Sequence, residues 1–122
     1  MSSALGKKYA DGEYIVRQGE QGNCMYVIQS GEVEIIRHEQ EKEILLATRA
    51  SGEFIGEMAL FEKETRMADV RAKGEAVVLT IDKKNLLSRI QADPSVAFRL
   101  IETLSRRVRE LSTQIANLKS QG

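Results

Sequence analysis

The 122-residue chain predicts a mainly β fold with added α structure, a small sandwich or roll followed by two helices. Three observations carry this. The apolar runs between Glu13 and Asp82 are short and punctuated by turns. Nine glycines stand against one proline, and seven of the nine fall between Gly12 and Gly74, where residues able to take positive φ close turns. After Ile81 the punctuation stops.

Taken in order, strands are expected at Tyr14 to Val16, Met25 to Ile28, Val33 to Ile36, Ile44 to Ala47, Met67 to Ala72 and Ala76 to Ile81. Ser30-Gly31, between two β-branched runs, reads as a tight hairpin connection. Val33, Ile35 and Arg37 alternate with Glu32, Glu34 and Ile36, which predicts one core face and one wet face. No long helical crossover separates the strands, so a parallel sheet does not fit. Asp82 can cap a first helix carrying Leu86, Leu87 and Ile90, and Asp93-Pro94 supplies an N-cap and first-turn proline for a second. The second helix is long. Ile101, Leu104, Val108, Leu111, Ile115 and Leu118 recur along it at spacings of three and four, the seam of a coiled coil, which predicts a homodimer.

Composition excludes several functions. Eighteen basic residues balance eighteen acidic ones, so no global field steers the chain toward nucleic acid or an anionic membrane. The Arg106-Arg107-Val108-Arg109 run, without interleaved aromatics, reads as a helix surface, and no nucleic acid partner is expected for this chain alone. No apolar window is long enough to span a bilayer, so no membrane partner is expected either. The single cysteine, Cys24, and the absence of a charged-then-apolar leader point to the cytoplasm, with Cys24 buried and inert. The one histidine, His38, at a strand end among Arg37, Glu39 and Glu41, reads as a solvated loop residue. One histidine is too few for the metal site of a cupin, and no catalytic set is visible, so neither an enzyme, a metal nor a cofactor is expected.

The densest chemistry lies in Gly52 to Ala72, GEFIGEMALFEKETRMADVRA. Gly56 permits close backbone approach, and Glu57 to Phe61 form one helical turn whose amides and positive dipole end suit an anion. Arg66, on the following strand, can return to the same spot and grip a phosphate or carboxylate bidentately. Taken singly, the same residues read as a turn glycine, a first-turn acid and its ion-pair partner.

The longer stretch GEFIGEMALFEKETRMADVRAK resembles the phosphate-binding cassette of cyclic-nucleotide-binding domains, particularly the catabolite activator family of bacterial regulators. IVRQGEQGNCMYVIQSGEVEI is similar to that family's opening β segment, and RLIETLSRRVRELSTQIANL resembles its dimerising helix. The resemblance covers roughly Tyr9 to Leu118 and lacks the helix-turn-helix domain. It implies one domain over residues 1–122, with a double-stranded β-helix (jelly-roll) β-roll at about 9–82, a short helix at about 83–92 and a long dimerisation helix at about 94–120.

For the site, the resemblance implies that Gly56, Met58, Ala59, Arg66 and Met67 surround the cyclic phosphate, and that Glu57 accepts from the ribose 2′-hydroxyl. Ile35, Leu46 and Ala47 would wall the base, with Arg107, Leu111 and Ser112 of the long helix closing over it, although the first three fit ordinary core equally well and the seam also claims Leu111. Relatives usually carry alanine, serine or threonine where Met67 stands; the missing hydroxyl weakens the case for cyclic GMP, so the expected ligand is cyclic AMP. The Glu57–Arg66 interval is one residue shorter than in the activator and matches kinase regulatory subunits. The implied function is a regulatory cyclic-nucleotide sensor; the competing reading is a structural dimerisation module of the same fold that no longer binds nucleotide.

Overall fold

A computed structural model describes residues 6–62 and 65–121. Six strands form one antiparallel sheet among the described residues: β1 (Lys7–Tyr9), β2 (Tyr14–Val16), β3 (Cys24–Glu39), β4 (Lys42–Ala50), β5 (Phe54–Ile55) and β6 (Asp69–Asp82). The path runs β1-β6-β3-β4, with β2 also on β6 and β5 also on β3. Helix α1 (Glu57–Glu62) interrupts the strands, and α2 (Lys83–Ala92) and α3 (Ser95–Gln121) follow them. The mainly β class with a long C-terminal helix is therefore the observed one. The chain divides into two compact units, the sheet with α1 as far as Lys83 and the helices from Lys84 onward.

The sheet unit has its core in Ile28 and Val33 of β3, Val70, Ala76 and Val78 of β6, and Ile55 of β5. Each valine or isoleucine among them gains about 1.5 to 3 kcal/mol on leaving water. These residues come from β3 and β6 because those two strands pair along most of their length, from Cys24↔Asp82 to Ile36↔Asp69.

That pairing corrects the expected Ser30-Gly31 hairpin. The two runs Met25 to Ile28 and Val33 to Ile36 are halves of one 16-residue strand, both paired to β6, and the register shifts on either side of Ser30. A glycine at positive φ, here +82° at Gly31, serves a bulge as well as a turn. The runs Met67 to Ala72 and Ala76 to Ile81 likewise merge into β6, which starts only at Asp69.

The expected alternation of core and wet faces fails in the same way. A second bulge lies between Ile35 and Ile36, where Ile35 pairs with Ala47 and Ile36 with Leu45. Val33 and Ile35 pack on the core cluster, but Ile36, on the face expected to be wet, is buried as well.

The tight hairpin is elsewhere, at Gln40-Glu41 between β3 and β4, with φ of 51° and 64°. Two positive φ values in a two-residue connection match the twist of the strands but favour asparagine and glycine. Neither residue is of that type, so no local signal marks the turn.

In the helical unit Asp93 caps α3 as expected: its Oδ1 accepts from the Ser95 amide at 3.1 Å and the Ser95 hydroxyl at 2.7 Å. These bonds, with Arg99 nearby, hold the carboxyl below its ordinary pKa. Along α3 the residues Ile101, Val108, Leu111, Ile115 and Leu118 are exposed and Leu104 is half-buried. Replacing Gln40 by Asn and Glu41 by Gly together will relieve the left-handed backbone and stabilise the protein by about 1 kcal/mol, measured as a rise in the urea midpoint without change in slope.

Candidate functional site

Three pieces of backbone meet at Arg66. Its amide donates to the Glu20 carbonyl at 2.7 Å and its carbonyl accepts from the Gly19 amide at 2.9 Å, so residue 66 is clamped to the loop between β2 and β3. Gln21 and Thr65 add an isolated bridge and a side-chain bond of 3.0 Å. The third piece is the turn before α1, where the Gly56 carbonyl accepts from Arg66 Nη1 at 3.2 Å.

The guanidinium is buried, with Arg66 only 8 % exposed. Nη2 donates to the Cys24 carbonyl at 2.9 Å and approaches Cys24 Sγ at 3.6 Å, and the planar group lies 5.4 Å from the centre of the Tyr26 ring. Among the described residues no carboxylate forms an ion pair with Arg66. The pairing of Arg66 with Glu57 that the sequence left open is therefore not formed. A buried cation that meets only neutral acceptors among the described residues favours an anion that can reach it. Tyr26 is half-buried, and burial first, then its bond with Cys24, pushes its pKa up to about 12, so its hydroxyl stays neutral.

Gly56 stands at φ +77°, and a Cβ there would lie 2.6 Å from Arg66 Nη1. It is required both for the turn and for the approach of the guanidinium. Glu57 opens α1 next to it, half-buried; Met58 is exposed and Ala59 buried in the same first turn, whose amides have no helical partners. Gly56 and Arg66 are thus brought together, with Glu57, Met58 and Ala59 directly following Gly56. Met67 is exposed, and its carbonyl accepts from Arg37 Nη1 at 2.9 Å.

Of the expected base-contacting residues, Ile35 and Ala47 are a cross-strand pair, with Ile35 packed against the core, and Leu46 is exposed at the bulge. Arg107, Leu111 and Ser112 belong to α3 in the helical unit.

Sequence reading missed the residues that hold Arg66: Gly22, Cys24 and Tyr26, which lie 40 or more positions away along the chain. Cys24 is half-buried against a guanidinium rather than enclosed in apolar core. His38 also needs correction. It is a strand residue, not a loop residue: its amide donates to Gln18 Oε1 at 2.8 Å, and Nε2 lies 2.5 Å from Asp69 Oδ2. Asp69 is 1 % exposed and also accepts from the Gln18 amide at 2.6 Å, with Arg17 Nε at 3.4 Å. Burial alone would raise the Asp69 carboxyl, but the Gln18 amide, His38 and the Arg17 charge outweigh it and hold the pKa below its ordinary value. This anchor fixes the start of β6 three residues after Arg66.

Residues 6–93 match the model of the cyclic nucleotide-binding domain. The chain belongs to that family. The cAMP-activated global transcriptional regulator CRP of Salmonella typhimurium is 36 % identical over 113 residues, covering 91 % of this chain and 54 % of the regulator. The catabolite activator protein of Thermus thermophilus superposes with a TM-score of 0.81 at 32 % identity, covering 93 % of this chain and 54 % of that one. The regulatory domain of Toxoplasma gondii PKA, solved with cAMP, superposes at 0.67 with 31 % identity, covering 84 % and 40 %. The chain spans about half the length of the curated relatives it matches.

Asp69→Asn will destabilise this cyclic nucleotide-binding domain by about 2 kcal/mol at neutral pH, since charge-assisted bonds to a buried acceptor are lost. A carboxyl with lowered pKa contributes its stability fully above the unfolded value near 3.9 and loses it as pH falls through the still lower folded value. The gap between variant and wild type, measured by chemical denaturation, will therefore close below about pH 4.

Proposed function

We propose that this chain is a regulatory cyclic-nucleotide sensor that binds cyclic AMP in the cytoplasm, acts as a homodimer and catalyses no reaction. The observation that supports it most is the buried Arg66 guanidinium beside Gly56 and the first turn of α1, answered among the described residues by neutral acceptors only. A cyclic phosphate diester carries one negative charge, which suits one guanidinium and a few amides. On this reading Arg66, Gly56 and the Met58 and Ala59 amides hold the phosphate, with Met67 alongside.

Glu57 accepts from the ribose 2′-hydroxyl. An ionised carboxylate can only accept, so a ribose hydroxyl suits it and a deoxyribose leaves it without that donor. Ile35, Leu46 and Ala47 face the base, and the resemblance adds Arg107, Leu111 and Ser112. Cyclic AMP is preferred to cyclic GMP because Met67 offers no hydroxyl to the guanine amino group. Occupancy passes on through α3, whose exposed apolar seam supports pairing with a second copy.

Titration calorimetry with cyclic AMP, cyclic GMP, 2′-deoxy cyclic AMP and 5′-AMP tests the site. Cyclic AMP will bind tightest, its 2′-deoxy analogue will lose at least tenfold, and Arg66→Lys will lose about a hundredfold because a point ammonium cannot form the planar fork. Heat from none of the four would leave the fold as a structural dimerisation module. For the seam, Leu111→Asp will shift sedimentation toward the monomer by burying a charge between helices; an unchanged profile rules the seam out as the interface.

A further inference from the structure

Two glycines leave the room in which the Arg66 guanidinium rests. A Cβ on Gly22 would lie 2.2 Å from Nε, 2.4 Å from Cζ and 2.6 Å from Nη2. Unlike Gly56, Gly22 is not in the left-handed region, so a side chain there brings no left-handed strain. What glycine provides at position 22, and alanine would not, is space for the side chain of Arg66.

That resting place competes with an anion for donors. A guanidinium offers an oxyanion two planar forks, Nε with Nη2 and Nη1 with Nη2, the remaining edge being blocked by its own Cδ. Both forks contain Nη2. In the structure Nη2 is directed at the carbonyl and the sulfur of Cys24, and Nη1 bonds the Gly56 carbonyl. A phosphate gripped by either fork therefore competes with Cys24 for the two hydrogens of Nη2.

We infer that Gly22 is a positioning residue that seats Arg66 on the carbonyls of Cys24 and Gly56, and that this seat holds down the affinity of the site for its anion. The inference rests on the proposed cyclic-nucleotide reading of that site. When only an unseated fraction is competent to bind, the apparent dissociation constant is the intrinsic one divided by that fraction. Gly22→Ala removes the seat at its cheapest point, because the clash falls on the end of a flexible side chain and not on backbone.

The test compares the 122-residue wild type and Gly22→Ala, labelled with nitrogen-15, the Arg66 Nε–H resonance being assigned by its absence in Arg66→Lys. Without nucleotide, the Nε–H of the variant will shift and exchange faster with water, and its melting temperature will fall slightly. Its cyclic AMP affinity by calorimetry will nonetheless rise by about 3- to 10-fold. A merely structural glycine would move stability and affinity in the same direction. An unchanged Nε–H overturns the seat, as does a variant that fails to fold; an equal or weaker affinity overturns the competition. A wild type that binds neither cyclic AMP nor cyclic GMP overturns the proposed function and the competition together, and the Nε–H signal still decides separately whether Gly22 seats Arg66.

Discussion

A guanidinium taken out of water must recover its lost hydration from fixed acceptors, and this requirement organises the site. Arg66 finds the Cys24 carbonyl at the start of β3 and the Gly56 carbonyl before α1, while its own peptide groups bond the loop at Gly19 and Glu20. Three stretches of chain converge on Arg66, two on its guanidinium and one on its peptide groups. None of them is regular secondary structure over its whole length, which is why their polar backbone groups are available to it.

The convergence holds because the segment after Arg66 is fixed independently. Asp69, buried at the start of β6, gathers the Gln18 amide, His38 and Arg17, and Arg37 bonds the Met67 carbonyl. The loop before β3 is thus bonded to residues 65–69 at both of its ends. One end supplies a buried acid and its donors, the other a buried cation and its acceptors. The acid meets positive partners in Arg17 and His38, whereas the cation meets neutral acceptors only among the described residues, which leaves its charge available to an anion.

Irregularities in the strands belong to the same logic. The register shifts near Ser30 let β3 serve β6 along both halves, and the extra residue on β4, Leu46, keeps β4 alongside β3. The first turn of α1 follows Gly56 at positive φ in the same short interruption of the sheet.

What could be read from the residues in order was whatever depends on neighbours in sequence. The mainly β class, the cap at Asp93, the seam spacing of α3 and the Gly56-Glu57 turn followed by Arg66 are all encoded within a few residues of one another, through backbone preference and periodicity. The hairpin expected at Ser30-Gly31 failed because a positive-φ glycine is equally at home in a bulge, and only β6 lying along both halves of β3 distinguishes the two. The bonds of His38 to Asp69 and of Arg66 to Cys24, and the room left at Gly22, depend on packing between residues 31 or more apart. Local preference carries no term for such distances, so the tertiary structure alone decided where the charge of Arg66 comes to rest.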